Sequence, residues 1–350
     1  MRLIWLTPGF PADENDHACI PPLQLLAREL AGRGAELDVV TLEYPFRSAP
    51  YQWHGIRVWP CDGRNRTGCK LRTLRRAFQH GLRLTAGQPA VLHSFWLGWA
   101  ARTGERLHYR TGLPHLTTLM GQDVLPSNHK HLRYLTAKDE GRIVALSAFH
   151  RKKLEETTGL IALHDIPWGI DAREVPRQMP ETRPFDVLGV GSLLPVKDWP
   201  KWLRTLRRVA DRYPALRAEL VGDGPEKKRI ERLAASLGLE RHLQLTGMLP
   251  RERVLEKMRS AKVLLHTARF ESYGFVLVEA AAQGCRVVGT PVGIAPETGH
   301  TADDPAALAA LVLAALAEPA PTAPFVPFSL RDTATRYLDL YGSMLSFPAV

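Results

Sequence analysis

The sequence predicts an α/β protein made of two doubly wound domains, and three observations support this. Short apolar runs alternate with helical patterns along the first half of the chain, as in a parallel sheet covered by helices. A strand, loop, helix, strand order follows from Val263 to Glu297. With 350 residues, the chain is long enough for two domains of ordinary size.

The composition is that of a globular protein. Hydrophobic residues make up 45% of the chain and charged residues 23%. The longest apolar run, Ala306 to Ala317, is too short to cross a bilayer. Only Arg2 precedes the first apolar run, and no small-residue cleavage site follows a long apolar core. We therefore expect no signal peptide and a cytoplasmic protein.

The cysteines show neither a CxxC pair nor the spacing of a metal site; they are Cys19, Cys61, Cys69 and Cys285. Cys61 and Cys69 would form a bridge in an oxidising compartment, whereas free thiols are the expectation for the cytosol. The net charge of +10 indicates an anionic partner: a nucleotide donor, an anionic lipid surface or nucleic acid. Nucleic acid is not expected, because the sequence has no zinc finger, RNP stretch or GXXG clamp in context.

The first strand places candidate residues at the carboxyl end of a sheet. Leu3 to Leu6 predicts this strand, and Gly9 and Phe10 follow it in a loop. Ligands of open α/β folds collect beyond the carboxyl ends of the strands, so we expect this loop on the acceptor side. The acidic residues at 13–17 are interpreted as a solvated loop rather than a metal site. The next elements expected in this half are a helix from Pro21 to Gly32, strands Leu37 to Leu42, Ala90 to His93, Leu116 to Leu119 and Ile143 to Leu146, and a helix from Ser147 to Thr158.

Lys70 to Leu84 predicts a basic amphipathic helix. Leu71, Leu74, Phe78 and Leu82 are spaced for one face, and cationic side chains occupy the remainder. A helix of this kind either lies on an anionic membrane or packs in a core with a charged outer face, which is the commoner outcome.

The second half opens with a strand, a glycine turn and a lysine. Phe185 begins the apolar strand, Gly191 and Ser192 form the turn, and Lys197 follows close to the place expected for a diphosphate. The Pro-rich segment from Val175 to Pro184 is interpreted as a linker. The remaining elements expected are strands Arg217 to Val221 and Leu243 to Thr246 and helices Glu226 to Leu237, Ala306 to Leu316 and Ser329 to Leu345.

The stretch from Val263 to Gly284 is the most informative about function. It predicts a buried strand, a loop and an apolar helix that ends at Gly284. The free N–H groups at the helix start would form a cradle for phosphate oxygens; they belong to Gly274, Phe275 and Val276. Glu271 and Glu279 flank this cradle, where their carboxylates could accept hydrogen bonds from the hydroxyls of a nucleotide sugar.

This E-x7-E pattern resembles the retaining family-4 glycosyltransferases, which have the GT-B fold. The resemblance implies that Glu271 contacts the donor sugar, that Glu279 holds the ribose and that Met248 lies near the nucleotide base. Lys197 matches the lysine of the family's G-R-x-x-x-x-K pattern, whereas Ser192 stands where the family has arginine.

Two segments extend the resemblance. The residues from Ile166 to Asp171 look like the family's P-x-G-I-D segment, which introduces the second domain. Residues 118–123 are similar to T-x-H-G-x-D, but Met120 replaces the histidine that would bond to the sugar. Either a neighbour supplies this contact or the donor differs; the sugar-side candidates are His93, Gln122 and Asp123.

The architecture implied by the resemblance is GT-B, with two facing Rossmann-like domains and a central cleft. Its parts are an acceptor-side domain (1–172), a linker (173–184), a nucleotide-sugar-binding domain (185–327) and a terminal helix segment (328–350) that crosses back to the first domain.

The function predicted is a retaining, metal-independent glycosyltransferase of the hexosyltransferase type, with Lys197 and Glu271 as catalytic residues. A nucleotide-diphosphate sugar is the co-substrate, no further cofactor is expected, and the acceptor is a glycan or lipid-linked molecule, as in polysaccharide biosynthesis. Peripheral contact with the anionic inner membrane face is a further expectation. The alternatives are a non-catalytic nucleotide-sugar-binding protein or partner subunit, which Ser192 and Met120 favour, and a nucleotide-sugar epimerase.

Overall fold

The structure, a computed structural model, describes residues 1–17, 19–319 and 321–346. The chain divides into two compact units. Unit 1 comprises Met1–Gly169 together with the C-terminal segment from Leu330, and unit 2 comprises Ile170–Ser329. Each unit has its own largely parallel sheet and its own helices, which confirms the predicted α/β class.

Within the described residues, unit 1 has an eight-stranded sheet in the order β3-β4-β2-β1-β5-β6-β7-β8. Its strands are β1 (Arg2–Gly9), β2 (Glu36–Tyr44), β3 (Tyr51–Trp53), β4 (Ile56–Pro60), β5 (Val91–Phe95), β6 (His115–Thr118), β7 (Ile143–Ala145) and β8 (His164–Asp165). Its helices before residue 170 are α1 (Pro21–Gly32), α2 (Lys70–Leu84), α3 (Trp99–Thr111), α4 (His129–Leu132) and α5 (Ala148–Thr158). Only the β3–β4 hairpin is antiparallel among these described strands. The central strands β1 and β5 are buried along most of their length, as is usual in parallel sheets.

Unit 2 has a six-stranded parallel sheet in its described residues, in the order β11-β10-β9-β12-β13-β14. Its strands are β9 (Phe185–Val190), β10 (Ala218–Val221), β11 (Leu243–Gly247), β12 (Ala261–His266), β13 (Arg286–Gly289) and β14 (His300–Thr301). Its helices are α6 (Trp199–Arg212), α7 (Lys227–Ser236), α8 (Arg251–Arg259), α9 (Phe275–Ala282), α10 (Ala295–Thr298) and α11 (Pro305–Ala317). The strand order reverses at β9, whose neighbours are β10 and β12, and such a switch point is where α/β sheets bind ligands.

The segment predicted as a linker, 173–184, lies in unit 2. Arg183 is buried there, and its guanidinium donates to the carbonyls of Ala261 at 2.8 Å and Gln283 at 3.2 Å. These bonds attach the segment to β12 and to the end of α9. Unit 2 therefore begins at Ile170, ahead of the predicted linker, because the segment packs instead of crossing solvent.

Helix α12 (Leu330–Ser346) belongs to unit 1, which confirms the predicted return of the terminal helix to the first domain. The Tyr341 hydroxyl lies 2.6 Å from Nδ1 of His93, and the Tyr337 hydroxyl lies 2.9 Å from Oγ1 of Thr118. Both tyrosines are fully buried, so they fill the core as well as bonding to it. Residues 347–350 of the predicted segment lie outside the described residues.

Helix α2 has the predicted bounds, and Leu74, Phe78 and Leu82 of its predicted apolar face are partly buried against the core, whereas Leu71 is 82% exposed. The fully buried positions Thr73, Ala77 and Gly81 lie beside this face. A β-carbon at Gly81 would lie 2.3 Å from a methyl of Leu107, so the glycine lets α2 approach α3 closely. None of the helices in the described part of the chain is both long and apolar enough to cross a bilayer.

We expect Tyr341→Phe to lower the melting temperature of unit 1 by roughly 3–6 °C, because the buried Nδ1 of His93 loses its partner. The measurement is thermal unfolding followed by circular dichroism. The control is Tyr109→Phe, since Tyr109 is 78% exposed and its hydroxyl has no comparable burial. Equal melting temperatures for Tyr341→Phe and the control would contradict the docking of α12.

Candidate functional site

The loop that follows β9 is held in place by close backbone contacts. Gly222 has φ 150°, and a β-carbon on it would lie 1.9 Å from the carbonyl oxygen of Gly191. Gly191 itself has φ 151°, and a β-carbon there would lie 3.5 Å from Cε of Lys197. The lysine stem therefore lies over the glycine turn, as the strand–turn–lysine pattern predicts.

Threonine and tryptophan side chains fix the backbone beneath this lysine. The buried hydroxyl of Thr267 donates to the carbonyls of Lys197 at 3.2 Å and Asp198 at 3.1 Å. Nε1 of Trp199 donates to the carbonyl of Ser192 at 3.1 Å. The loop after β9 and the loop after β12 are thus joined into one surface at the carboxyl edge of the sheet.

Lys197, Glu271 and His266 form a cluster on this surface. Nζ of Lys197 donates to Oε1 of Glu271, and Nε2 of His266 lies 3.1 Å from the same oxygen. Burial lowers the pKa of His266, and the charge of Lys197 acts in the same direction against the opposing effect of Glu271. The imidazole is therefore neutral near pH 7, and its Nε2–H is the donor.

Glu271 stays ionised in this cluster. Burial acts to raise its pKa, but the charge of Lys197 and the hydrogen bond from His266 outweigh burial and hold the pKa at about 2. Its side chain is 15% exposed and that of Lys197 is 18% exposed, so both retain access to a ligand. A carboxylate that is ionised and partly accessible is a strong acceptor for hydroxyl groups.

The start of α9 lies beside this carboxylate. Gly274, the N-cap residue, has φ 85°, and a β-carbon added to it would lie 3.7 Å from Cγ of Glu271. Phe275 and Val276 are half-buried, and N–H groups in a first helical turn have no intrahelical acceptor. Gly293 packs against the loop from below, since a β-carbon on it would lie 2.3 Å from the Tyr273 carbonyl.

Glu279, further along α9, is paired with a cation that the sequence pattern did not reveal. Nε of Arg251 donates to its Oε1 at 2.9 Å, and the same guanidinium donates to both oxygens of Glu174. Burial raises the pKa of Glu279 to about 7, with the charge of Arg251 opposing this rise and that of Glu174 adding to it.

Several predicted residues of unit 2 come together, and others do not. Lys197 and Glu271 are in contact, with Gly191 and Gly274 adjacent to them. Ser192 is exposed, and Met248 is 73% exposed. Their predicted roles at the donor remain predictions.

In unit 1, two predicted contact residues belong to the core. His93 is fully buried, and its nitrogens are taken by Tyr341 and by Thr118 at 2.8 Å, so it cannot offer a bond to a sugar. Phe10 is fully buried against Trp53, with ring centroids 5.0 Å apart. Both predictions of sugar or acceptor contact were wrong, because His93 bonds to α12 and Phe10 packs in the apolar interior.

The other unit 1 candidates organise a loop or remain accessible. Asp123 is buried, and its carboxylate accepts from the N–H groups of Leu97 at 2.8 Å and Gly121 at 2.9 Å. It therefore shapes the loop after β6. Gln122, beside it, is exposed, and Gly9 is buried at the end of β1.

In the acidic loop of unit 1, residues 13–17, the carboxylate of Asp16 bonds to neighbouring groups of the same unit. Asp16 accepts from the hydroxyl of Tyr44 at 2.7 Å and from the N–H of Ala12 at 3.0 Å. Across residues 1–17, 19–319 and 321–346, no three histidine, cysteine, aspartate or glutamate side chains are grouped to hold a metal ion.

Known protein families and structures resemble this chain in sequence and in fold. Glycosyltransferase Family 4 matches residues 23–174, and Glycosyl transferases group 1 matches residues 172–314. A sucrose-phosphate synthase from Thermosynechococcus elongatus has a similar structure, with a TM-score of 0.74 at 17% identity over 99% of this chain and 100% of that chain.

Two curated relatives match parts of the chain. The GPI3 subunit of the phosphatidylinositol N-acetylglucosaminyltransferase of Saccharomyces cerevisiae is 30% identical over 111 residues, which are 32% of this chain and 25% of that protein. A GDP-mannose-dependent alpha-(1-6)-phosphatidylinositol monomannoside mannosyltransferase of Mycolicibacterium smegmatis is 28% identical over 197 residues, 51% of each chain. The matches thus span a quarter to a half of these relatives.

The two family matches adjoin near residue 172, and together they cover most of both units. The chain belongs to the group 1 and family 4 glycosyltransferases, and its fold is of the GT-B type.

Proposed function

We propose that the protein is a retaining glycosyltransferase that moves a sugar from a nucleotide-diphosphate donor to a glycan or lipid-linked acceptor. The observation that carries the proposal is the contact between Lys197 and Glu271 beside the start of α9. A cation, an ionised carboxylate and free helix N–H groups meet there within one unit. The two ends of a sugar diphosphate need this combination.

The diphosphate would bind to the positive part of the site. As the bond at the anomeric carbon breaks, negative charge develops on the leaving diphosphate. The ammonium of Lys197 has three N–H donors, so it can keep its bond to Glu271 and still donate to a phosphate oxygen. The N–H groups of Gly274, Phe275 and Val276 add the helix dipole at the same place.

The sugar and the ribose would be held by the two carboxylates. Glu271 is ionised and accepts from sugar hydroxyls, while Glu279 accepts from the ribose. Attack by the acceptor on the same face as the departing group would retain the anomeric configuration. The leaving diphosphate could then take the acceptor proton, so the proposal needs neither a dedicated protein base nor a metal ion.

A second function, donor binding without transfer, is favoured by one residue. Ser192 offers a hydroxyl where the family has an arginine, so one fewer positive charge stabilises the leaving diphosphate. Incubation with donor alone, and then with donor and acceptor, followed by NMR, separates the candidates. Transfer with retained configuration supports the proposal, binding without turnover supports the second function, and donor conversion without acceptor indicates an epimerase.

We expect Lys197→Ala to lower kcat by about 10²-fold or more, since it removes charge stabilisation that grows in the transition state. Glu279→Ala should instead raise the donor KM by roughly tenfold, because ribose binding is similar in both states. Steady-state kinetics with the active donor measure both. Lys201→Ala is the control, because Lys201 lies in the first turn of α6 and its Nζ is 3.9 Å from Asp198. A kcat for Lys197→Ala within about twofold of this control would refute the assignment.

We further propose that unit 1 contacts an anionic lipid surface through α2 and α3. Helix α2 carries Lys70, Arg72, Arg75, Arg76 and Arg83 and no acidic residue. Opposite charge and exposed apolar groups are the two features that bind a protein to such a surface. Both curated relatives described above have names that include phosphatidylinositol.

The apolar part of this surface is a groove of about 530 Å³ between α2, α3 and the loop after α4. Trp99, Tyr109 and Tyr134 line it and are 38%, 78% and 44% exposed. Arginines rim it: the guanidinium of Arg106 lies 4.6 Å from the ring centroid of Phe78, and that of Arg102 lies 3.8 Å from that of Tyr134. Amphipathic rings beside cations are typical of membrane interfaces.

We expect the protein to float with vesicles containing anionic lipid and not with neutral vesicles, and to dissociate as salt is raised to about 0.5 M. The double change Arg72→Glu with Arg75→Glu should abolish flotation. Lys227→Glu with Lys228→Glu, on exposed positions of α7, makes the same change in net charge and should leave flotation intact. Equal flotation with both vesicle types, or equal loss in both double variants, would exclude this surface.

A further inference from the structure

The guanidinium of Arg251 lies between two carboxylates from separate segments of unit 2. It bonds to both oxygens of Glu174, with Nη2 donating to Oε2 at 2.7 Å. Toward Glu279, Nε and Nη2 both point at the single oxygen Oε1, at 2.9 and 2.8 Å. All three side chains are at most 20% exposed, so this is an enclosed charge cluster rather than a surface pair.

The arrangement is asymmetric at Glu279. The contacts from Arg251 go to Oε1, and the described residues show no hydrogen bond to Oε2. Glu174, in contrast, is fully engaged: Nε2 of Gln283 also donates to its backbone carbonyl at 2.8 Å. The side chain of Gln283 also accepts a hydrogen bond from Arg259 at 3.0 Å. These bonds attach the chain around Glu174 to the end of α9.

We propose that Arg251 is a positioning residue for donor binding, which favours the ionised form of Glu279 and leaves its second oxygen for the ribose, and that Glu174 sets how strongly Arg251 does so. The inference rests on the proposed function, because it takes the ligand of Glu279 to be a nucleotide sugar. It adds that donor affinity depends on the charge balance of three side chains, two of which do not touch the donor.

The electrostatics support this assignment. Burial raises the pKa of Glu279 to about 7, the charge and hydrogen bond of Arg251 act to lower it, and the charge of Glu174 acts to raise it. Burial acts to lower the pKa of Arg251, but its bonds to the two carboxylates outweigh this and raise it, so the guanidinium stays charged throughout. Glu279 is therefore the group of the cluster whose charge changes near neutral pH.

The other elements packed on α9 have titratable groups with partners elsewhere. On β12, His266 bonds to Glu271, and on β13, Arg286 lies 3.1 Å from Glu318. Glu297 of α10 acts on Tyr273. The charges that act on Glu279 are those of Arg251 and Glu174.

The sign of the pH dependence follows from these charges. Glu279 binds the ribose when ionised, so donor affinity should fall by about tenfold per pH unit once the pH drops below the pKa of Glu279. The midpoint of this pH dependence follows the pKa of Glu279. Without the charge of Arg251 the pKa of Glu279 should rise, so the midpoint should move to higher pH. Without the charge of Glu174 the pKa should fall, so the midpoint should move to lower pH.

The experiment is calorimetric titration with UDP-glucose, UDP-N-acetylglucosamine and GDP-mannose from about pH 5.5 to about pH 9. The phosphates of these intact nucleotide sugars do not titrate in this range, and the ring N–H groups of uracil and guanine titrate only towards its upper end, so a midpoint near neutral pH belongs to the protein. We expect a wild-type midpoint near neutral pH, a higher one in Arg251→Gln and a lower one in Glu174→Gln. Arg251→Lys should restore the midpoint to near its wild-type value. The matched control Glu279→Gln should bind weakly and without pH dependence.

Two outcomes would overturn the inference. One is a wild-type affinity that does not change with pH, and the other is a uniform loss of affinity in both Arg251→Gln and Glu174→Gln with the midpoint unmoved. The second outcome would show that the cluster only supports the fold. Failure of the wild-type protein to bind any of the nucleotide sugars is a different result, and it would remove the proposed function and this inference together.

Discussion

A carboxylate that is largely removed from solvent is costly unless a cation reaches it, and unit 2 places two of them on one loop and helix. Glu271 is satisfied by Lys197 and His266, and Glu279 is satisfied by Arg251. The loops after β9 and β12 and the start of α8 are therefore tied to the same short stretch of chain. The surface that would receive a donor is the surface where these charges are balanced.

The two carboxylates are balanced to different extents. The full charge of Lys197 and a neutral imidazole both act on one oxygen of Glu271, and its pKa lies at about 2. Glu279 shares its arginine with Glu174, and its pKa lies at about 7. One side chain thus has a fixed charge across physiological pH, whereas the other is close to its titration point. Chemically similar residues eight positions apart consequently have distinct roles available to them.

Much of this could be predicted from the sequence, because local patterns determine it. Apolar runs and glycine stops marked the strands around Lys197 and Glu271, and the same spacing placed Gly274 at a helix start. Arg251 and Glu174 could not be found in this way, since they are 77 positions apart and meet only through the folded sheet. The prediction for His93 failed because a polar residue at the end of a strand is typical of a ligand contact. Its bond to Tyr341 of α12 cannot be predicted from the local sequence. Similarly, the close approach of α2 to α3 at Gly81 could not be predicted from the spacing of the leucines.

The return of α12 to unit 1 has a consequence for how that unit folds. Unit 2 is one continuous stretch that lies in the chain between the two parts of unit 1. The bonds of Tyr341 to His93 and of Tyr337 to Thr118 therefore join residues 248 and 219 positions apart. Contacts between residues so distant in sequence require closure of a long loop, which costs chain entropy and slows folding. The interior of unit 1 is thus completed by its least local contacts.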